Sequence, residues 1–446
     1  MEISELIRQN PWWLGKEKVG EDEDFVKWEK SEIKWYPKLL DTIPLEAFSL
    51  NFIFGPRQVG KTTALKLLID KLLASGGDKD SIFYFRCDKL KDFHELEDVL
   101  TAYFSYRDSK KIVGSVIMLD EITYPDEWYR TIKFYIDTGA FKNDVLVLTG
   151  SLSMYVKGEV ETFPGRRGKG KDVIFYPLSF REFIGVAKKG LYEKLPAIKQ
   201  LDGRAMDKIK TILQYKDEID KLFEVYIRSG GFPLTIKDTM SRGKISDQTV
   251  DVYVSSIKGD LLKTGYDPDI AKEVIKSLIE REPSTISWLS VAKATSIKSH
   301  STVYSYINML EKLFFLKIFY FIDPSDNSIN LNKEKKVHLL DPSLFFIFSS
   351  WSMAKMPEKS VEIETIVASH LARAFDAFYW KGSHEIDVVA RTNGKLTGVE
   401  VKWTDDFLPR RISIGKMKEV FYLSKSVFDA DSRTIPVTMF LSCFDV

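Results

Sequence analysis

Residues 50–62 read LNFIFGPRQVGKT, a run of apolar residues followed by a loop with two glycines, a lysine and a threonine. The next residues, 63–73, read TALKLLIDKLL and have the apolar spacing of an amphipathic helix. The loop has the spacing G-x-x-x-x-G-K-T, in which backbone N–H groups and the helix N-terminus can face a phosphate. The stretch therefore predicts a strand, a phosphate-binding loop and a helix, which is how a nucleotide-binding α/β fold begins.

The residue types in this loop predict ATP as the ligand and Mg²⁺ as its ion. Lys61 is expected to reach the β- and γ-phosphates, and the hydroxyl of Thr62 is expected to hold the metal. The residues predicted to contact the nucleotide are Gly55, Pro56, Arg57, Gln58, Val59, Gly60, Lys61, Thr62 and Thr63.

Two further apolar runs end in polar residues. Residues 116–119 are followed by Asp120 and Glu121, as expected for a buried strand that presents acids at its carboxyl end. Asp120 is expected to orient Mg²⁺ through water, and Glu121 is expected to polarise the attacking water. The run 145–149 ends in Thr149, whose hydroxyl is placed to sense the γ-phosphate.

Short apolar runs alternate with helical patterns from residue 48 to residue 177, which is typical of a parallel sheet with crossover helices. One run lies between the lysine and the aspartate motifs, an order that suits ATPases with an extra strand between them. The predicted strands are 50–54, 82–86, 116–119, 145–149 and 173–176.

The loop before the last of these strands reads FPGRRGKGK. Arg166 and Arg167 occupy a place from which an arginine can reach the phosphate of a neighbouring subunit. The alternative is a solvated basic loop, and the sequence does not decide between the two.

Composition limits the partners, cysteine-based sites and cellular location that we expect for the chain. The 446 residues include 65 Lys and Arg against 64 Asp and Glu, so any surface for nucleic acid must be a local patch. Two cysteines, Cys87 and Cys443, exclude a disulfide framework and a four-cysteine zinc site, and they indicate a cytoplasmic location. The apolar stretch 313–322 is short and contains Lys317, so we expect no membrane partner.

The motifs together resemble a known group, the prokaryotic AAA-type ATPases of the archaeal-ATPase and STAND-related branch, whose C-terminal domain of unknown function is shaped like a restriction endonuclease. The resemblance covers most of residues 10–403. It is carried by NPWW (10–13), GPRQVGKTT (55–63), LDEI (119–122), LTGS (148–151), FPGRR (163–167), YPLSFREF (176–183), SGGFP (229–233), EIDVVA (385–390) and GVEVK (398–402).

The resemblance implies a nucleotide switch coupled to a winged helix and a nuclease-like module. In related ATPases a G-x-P element lets a proline touch the adenine, and Gly231 and Pro233 match that element. A plain helix-breaking turn is the simpler interpretation of the same residues.

In the C-terminal region the spacing of the residues alone predicts a β-hairpin and its register. Asn393 and Gly394 stand between two alternating segments and predict a two-residue hairpin turn. In that register Asp387 lies opposite Glu400, and both share a face with Glu385 and Lys402. The apolar residues Ile386, Val388, Val399 and Val401 share the other face.

Two facing carboxylates repel unless a cation lies between them, which suggests a divalent metal, Mg²⁺ or Mn²⁺. The predicted helix 361–375 aims Glu364 along an apolar stripe towards the same place. Glu364, Asp387 and Glu400 as metal ligands, with Lys402 placing the water or phosphate, match the PD-(D/E)xK nuclease pattern. The alternative is a structural ion-pair network in which Lys402 pairs with Glu385 and Glu400.

The segment 299–313 is expected to be the recognition helix of a winged helix. Its hydroxyls would face a DNA groove, and Lys333, Lys335 and Lys336 could grip phosphates, although such runs more often form solvated loops. Packing against another domain without touching DNA is the competing interpretation of this helix. The hydroxyl-bearing residues are Ser301, Thr302, Tyr304 and Ser305, flanked by Lys298 and His300.

The predicted architecture is a multidomain α/β protein. Its ATPase core is expected to use ATP and Mg²⁺ to control a DNA-binding C-terminal half, with DNA cleavage by that half and a homo-oligomeric assembly left open. The alternative is a STAND-like switch that turns ATP over slowly and carries a non-catalytic platform for protein or DNA. The predicted segments are an N-terminal arm (1–45), a P-loop core (46–180), a helical lid (181–280), a winged helix (281–322) and a restriction-endonuclease-like domain (323–446).

Overall fold

The computed structural model describes residues 1–150, 163–382, 384–404, 406–407 and 411–445. These residues form two compact units, Met1–Tyr176 (unit 1) and Pro177–Val446 (unit 2). Within the described ranges no helix combines the length and the apolar character needed to span a bilayer. The fold is α/β in both units.

Unit 1 is built on a five-stranded sheet in which every neighbouring pair is parallel. The predicted strands at 82–86 and 145–149 are confirmed, and the other three are shifted at their ends by one or two residues. The strands are β1 (Ser49–Phe54), β2 (Ile82–Arg86), β3 (Val116–Asp120), β4 (Val145–Thr149) and β5 (Asp172–Ile174).

The strand order is β2-β3-β4-β1-β5. An extra strand does separate the strand before the phosphate loop from the strand that ends in Asp120, but that strand is β4. Strand β2, which precedes β3 in sequence, lies at the edge. Because the strands are parallel, the carboxyl ends of β1, β3 and β4 meet at one edge of the sheet and bring the predicted site residues together.

The helices of unit 1 pack on this sheet. The phosphate loop is followed by a helix that begins at Lys61, and its buried side includes Leu65, Leu68 and Ile69. The helices are α1 (Ile3–Gln9), α2 (Glu23–Glu29), α3 (Lys61–Ala74), α4 (Phe93–Ser109) and α5 (Tyr129–Asp137).

The N-terminal arm closes the free edge of the sheet with side chains. Asn10 lies beside β2, where its Oδ1 accepts from the N–H of Tyr84 at 2.7 Å and its Nδ2 donates to the Tyr84 carbonyl at 2.9 Å. The indole N–H groups of Trp12 and Trp13 both donate to the carbonyl of Ile82, at 2.9 and 3.0 Å. Polar side chains thus take the hydrogen bonds that a further strand would make.

Unit 2 begins with a run of helices and ends with a mixed sheet. Its helices are α6 (Phe180–Ala187), α7 (Lys189–Tyr192), α8 (Gly203–Lys210), α9 (Lys216–Ser229), α10 (Pro233–Arg242), α11 (Asp247–Lys263), α12 (Pro268–Ile279), α13 (Trp288–Lys293), α14 (His300–Lys312), α15 (Ser343–Ser352), α16 (Lys359–Ala374) and α17 (Val437–Cys443). Its strands are β6 (Leu316–Phe319), β7 (Phe321–Ile322), β8 (Ile329–Asn330), β9 (Lys336–Leu339), β10 (Asp376–Lys381), β11 (Glu385–Thr392), β12 (Lys395–Lys402), β13 (Glu419–Ser424) and β14 (Thr434–Pro436).

Seven of these strands form one sheet in the order β14-β13-β12-β11-β10-β7-β8. Strands β6 and β9 pair separately and antiparallel, directly after the helix pair α13 and α14. This order of elements is the one that a winged helix has, and that identification stays a prediction. The segment between β6 and β9 contains β7, which pairs with β10, so this segment and the C-terminal strands share a sheet.

We expect Asn10→Ala to lower the unfolding free energy by about 2–3 kcal/mol, because two backbone groups of β2 lose their partners in a buried place. Chemical denaturation followed by tryptophan fluorescence measures the effect, since Trp12 and Trp13 pack at the same edge. Substitution of the exposed Arg8 by Ala serves as the control and should change stability by less than about 0.5 kcal/mol. Equal stability of Asn10→Ala and the wild type would contradict the edge-closing role.

Candidate functional site

The phosphate loop owes its shape to its two glycines. Gly60 has a φ of 101°, a left-handed conformation that favours glycine, and it precedes the first residue of α3. At Gly55 a Cβ atom would lie 2.3 Å from the carbonyl oxygen of Phe175, so no side chain fits there. Between them Pro56 and Val59 are buried and Gln58 is exposed at the tip, which leaves the backbone as the lining of the loop.

Lys61 lies across this loop and is 5% exposed. Its Nζ donates to the carbonyls of Gly55 and Pro56, each at 3.0 Å. The ammonium group therefore lies within the loop, and its contact with a phosphate stays a prediction.

The carboxylate of Asp120 is the centre of the site and is fully buried. Its Oδ2 accepts from the hydroxyl of Thr62 at 2.7 Å and from the hydroxyl of Tyr84 at 3.0 Å. Its Oδ1 accepts from the hydroxyl of Thr149. Three hydroxyl donors thus hold one carboxylate at the carboxyl edge of the sheet, and oxygen ligands of this kind suit Mg²⁺.

Glu121 follows directly and has an unusual conformation. Its φ of 53° is left-handed, and its backbone N–H donates to Thr149 Oγ1 at 3.1 Å. Its Oε2 is buried and accepts no hydrogen bond from any residue that the structure describes. A buried carboxylate oxygen without a protein partner requires a donor such as water, and the strained backbone is typical of a functional position.

The two predicted arginines both have partners within unit 1. Arg166 forms two hydrogen bonds with Asp137, at 2.8 and 3.0 Å. Arg167 donates to Asp172 at 3.1 Å and places its guanidinium carbon 4.1 Å from the ring centre of Phe52. Neither contact involves the phosphate loop, and the role towards a neighbouring subunit stays a prediction.

Gly231 and Pro233 lie in unit 2 and have structural explanations of their own. The N–H of Gly231 donates to Asp341 Oδ2 at 2.8 Å, and a Cβ atom at Gly231 would lie 2.0 Å from the carbonyl of Leu178. Pro233 is the first residue of α10, a position that proline favours. The adenine contact of these residues stays a prediction.

The predicted hairpin in unit 2 is confirmed from Thr392–Lys395 to Val388–Val399. Asn393 and Gly394 have φ values of 49° and 79°, the left-handed pair that a two-residue turn of this kind needs. The sequence therefore predicts both the turn and the register of these residue pairs correctly.

The register prediction is wrong at one point, Asp387. The pairing of β10 with β11 shifts between Phe378–Val389 and Trp380–Ile386, which places a bulge around Asp387. Ile386 consequently belongs to the apolar cluster that contains Val389, and it does not share a face with Val388. The β11–β12 pairs end at Val388–Val399, and Asp387 Oδ2 accepts from the N–H of Val401 at 2.8 Å. Asp387 and Glu400 are therefore not a strand pair, although Asp387 raises the pKa of Glu400.

Lys336, for which the sequence leaves a phosphate contact or a solvated loop open, occupies the centre of the acid cluster and is only 1% exposed. Its Nζ lies 2.8 Å from Glu385, 2.9 Å from Glu364 and 3.2 Å from Asp387. The solvated-loop interpretation is also wrong for Lys335, which is buried and lies over the ring of Trp288. All four residues of the strand KVHL are buried. A lysine that begins such a buried strand is the signal that could have identified Lys336.

The ionisation of this cluster follows from burial and charge. Burial raises the pKa of Glu364, and the nearby Asp387 raises it further. Burial alone would lower the pKa of Lys336, but the three carboxylates raise it well above its ordinary value. Glu385 is less buried, so Lys336 and Lys381 hold the pKa of its carboxyl below the usual range even though burial opposes them.

Glu400 and Lys402 form an ion pair at 2.6 Å. Burial raises the pKa of Glu400, while Glu400 raises the pKa of Lys402 against the effect of burial. The predicted contact of Lys402 with Glu400 is therefore present, and Glu385 pairs with Lys336 and Lys381 instead of Lys402. Within the described part of the chain no three acids, histidines or cysteines are grouped as a metal site, and the metal role of Glu364, Asp387 and Glu400 stays a prediction.

Comparison with known families supports the ATPase part of this description. Residues 47–184 match the model of the AAA domain, and residues 220–355 match a domain of unknown function, DUF8612. The second match ends before β10, so it does not cover the hairpin acids. No curated protein sequence matches the chain.

Similar solved structures include an ORC2 protein and a Cdc6p protein. The ORC2 protein of Aeropyrum pernix in ADPNP and ADP complexes is 13% identical, with 72% of this chain and 91% of that chain covered and a TM-score of 0.36. Cdc6p from Pyrobaculum aerophilum is 10% identical over 70% of this chain and 90% of that chain, with a TM-score of 0.26. TM-scores this low transfer no property to this chain. Residues 47–184 match the AAA domain and contain the parallel sheet and the phosphate loop, so they form a P-loop ATPase domain.

Lys336→Met removes the cation that the three carboxylates share. We expect the unfolding free energy to fall by about 3–5 kcal/mol at pH 8, because buried charges lose their partner. The loss should shrink at pH 5. Without Lys336 the buried carboxyls have raised pKa values, so the folded state binds more protons than the unfolded state, and stability decreases as pH rises.

Lys381→Met is the matched control, since the half-exposed Lys381 lies 3.4 Å from Glu385 and should contribute at most about 0.5 kcal/mol. Chemical denaturation at both pH values compares the variants. A Lys336→Met variant with wild-type stability at pH 8 would show that other groups compensate these acids.

Proposed function

We propose that the chain binds ATP with Mg²⁺, hydrolyses it, and uses the nucleotide cycle to control a DNA-binding C-terminal half. The observation that carries the first part is the hydrogen-bonded group in which Asp120 accepts from Thr62 and Thr149, while a buried oxygen of Glu121 has no hydrogen-bond partner among the residues that the structure describes. These side-chain oxygens are of the kind that binds Mg²⁺ and its water ligands beside a chain of phosphates.

Each residue has a distinct task in this proposal. Lys61 exchanges its two loop carbonyls for the β- and γ-phosphates, while the loop N–H groups and the N-terminus of α3 bind the same chain of phosphates. Magnesium held by the Thr62 hydroxyl, with Asp120 acting through water, would neutralise charge that develops on the phosphates.

Glu121 and Thr149 complete the site. The free Oε2 of Glu121 orients the attacking water and accepts its proton. Thr149 contacts both Asp120 and the N–H of Glu121, so a change at the γ-phosphate that moves its hydroxyl reaches both acids.

Nucleotide binding and phosphate release by purified variants test these roles. We expect Lys61→Ala to abolish ATP binding, because the phosphate charge loses its cation. Glu121→Gln should retain binding and lose roughly 10²–10⁴-fold in turnover, the usual loss for a general base.

Glu127→Gln is the control, since the Glu127 side chain is 43% exposed and pairs with Arg130 at 2.6 Å. Normal turnover by Glu121→Gln would remove Glu121 from the mechanism, and ATP hydrolysis by Lys61→Ala would place the activity elsewhere.

A second candidate is the regulatory switch with slow turnover. The observation that favours it is that Arg166 and Arg167 are both engaged within the chain, so a single copy offers neither to its own phosphate site. Retained ADP with slow phosphate release supports the switch. An acceleration that appears only in assembled protein and disappears in Arg166→Ala supports a homo-oligomer with a shared site.

The proposal for DNA binding is supported by helix α14. Ser301, Thr302, Tyr304 and Ser305 are exposed on it, while Val303 and Ile307 are buried. Lys298 and His300 are exposed at its start and provide positive charge or hydrogen-bond donors for phosphate.

For the hairpin acids the contacts of Lys336 favour the ion-pair network over a metal-dependent nuclease. A lysine that already satisfies Glu364 and Asp387 competes directly with a divalent cation for the same oxygens. The Mg²⁺ or Mn²⁺ of a nuclease would have to displace it.

We therefore expect plasmid and linear duplex to be bound and left uncut in the presence of Mg²⁺ or Mn²⁺. Gel shift and agarose assays on the same samples measure both outcomes, with Lys298→Glu expected to weaken binding about tenfold. Metal-dependent cleavage that Lys402→Ala abolishes would restore the nuclease hypothesis. Equal binding by Lys298→Glu and the wild type would remove α14 from the DNA interface.

A further inference from the structure

We propose that the N-terminal arm is a working part of the nucleotide site, in which Asp22 positions Asp120 through the buried Lys66 and Tyr84. This inference rests on the proposed function, since it concerns the same magnesium site. Asp22, Lys66, Tyr84 and Asp120 form a continuous series of contacts inside unit 1.

Tyr84 is the contact nearest to the site. It stands on β2, is almost fully buried, and donates its hydroxyl to Asp120 Oδ2 at 3.0 Å. The same oxygen accepts from Thr62. When the Thr62 hydroxyl turns to the metal, Tyr84 remains as the donor that fixes the direction of this oxygen.

Lys66 connects Tyr84 to the arm. It lies one helical turn after Thr62 and is only 2% exposed. Its Nζ lies 3.2 Å from the ring centre of Tyr84 and 2.9 Å from Asp22 Oδ2. A cation on the face of a phenol draws electrons from the ring and strengthens the hydroxyl as a donor. Burial lowers the pKa of Lys66, and Asp22 acts in the opposite direction.

The arm also fixes the backbone of Tyr84. Asn10 bonds both the N–H and the carbonyl of Tyr84, and the Trp12 ring lies 5.4 Å from the Lys66 ammonium. A shift of the arm therefore moves the main chain of Tyr84, the ion pair of Lys66 and the donor to Asp120 together. Tyr84, Lys66 and Asp22 touch no phosphate in this proposal, so they are positioning residues.

Tyr84→Phe and Asp22→Asn in the full chain test the inference. The readouts are the Mg²⁺ concentration for half-maximal turnover, kcat and KM for ATP, and the gain in nucleotide affinity that Mg²⁺ produces. We expect unchanged affinity without Mg²⁺ and a Mg²⁺ requirement that rises about 5- to 10-fold, the effect of one hydrogen bond to a charged group. The double variant should be no worse than the worse single variant, because both act on one contact series.

Two controls separate positioning from stability. Tyr103→Phe removes another buried hydroxyl, which bonds to Ser115 at 2.7 Å, and should lower stability without changing the Mg²⁺ requirement. Glu23→Gln changes a neighbouring exposed acid of the arm and should change neither.

A Tyr84→Phe variant that behaves like Tyr103→Phe, with the wild-type Mg²⁺ requirement, would overturn the inference. A wild-type chain that binds nucleotide and fails to hydrolyse it would instead overturn the proposed function. In that case the Mg²⁺-dependent gain in affinity still decides the role of Tyr84.

Discussion

Unit 1 depends on the burial of one carboxylate, that of Asp120. A buried ionised carboxyl without partners costs several kcal/mol, so its three hydroxyl donors have to arrive together. They come from three different places, the start of α3, the middle of β2 and the end of β4. The parallel order of the strands is what brings them to one edge, and the phosphate loop at the end of β1 lies at the same edge.

Much of this arrangement could be predicted from the sequence, for a simple reason. Loop spacing, apolar runs and the Asn-Gly turn are local signals, and each determines the conformation of the residues that carry it. Such signals predicted four site residues, Lys61, Thr62, Asp120 and Thr149. Tyr84 and Lys66 were not, because an aromatic residue in a strand and a lysine in a helix have ordinary local roles, and only the arm packed against both makes them significant.

The local nature of these signals also explains why the predictions for Asp387 and Lys336 in unit 2 are wrong. The hairpin register followed from two residues, but the bulge at Asp387 depends on how β10 pairs with β11, which no local pattern encodes. Lys336 lies 28 residues from Glu364 and 51 from Asp387 along the chain. Its ammonium group gives Glu364, Glu385 and Asp387 a shared positive charge from within the protein, where the sequence predicts a metal ion.

The edge of the sheet in unit 1 has a consequence for how the chain tolerates truncation. Side chains of Asn10, Trp12 and Trp13 close that edge, and a closure of this kind has no strand register to hold it in place. A chain that begins after these residues would expose the apolar strand 82–86 with unsatisfied amide and carbonyl groups along one side. Such an edge recruits strands from other molecules, so the first few turns of the chain also act as a guard against self-association into extended sheets.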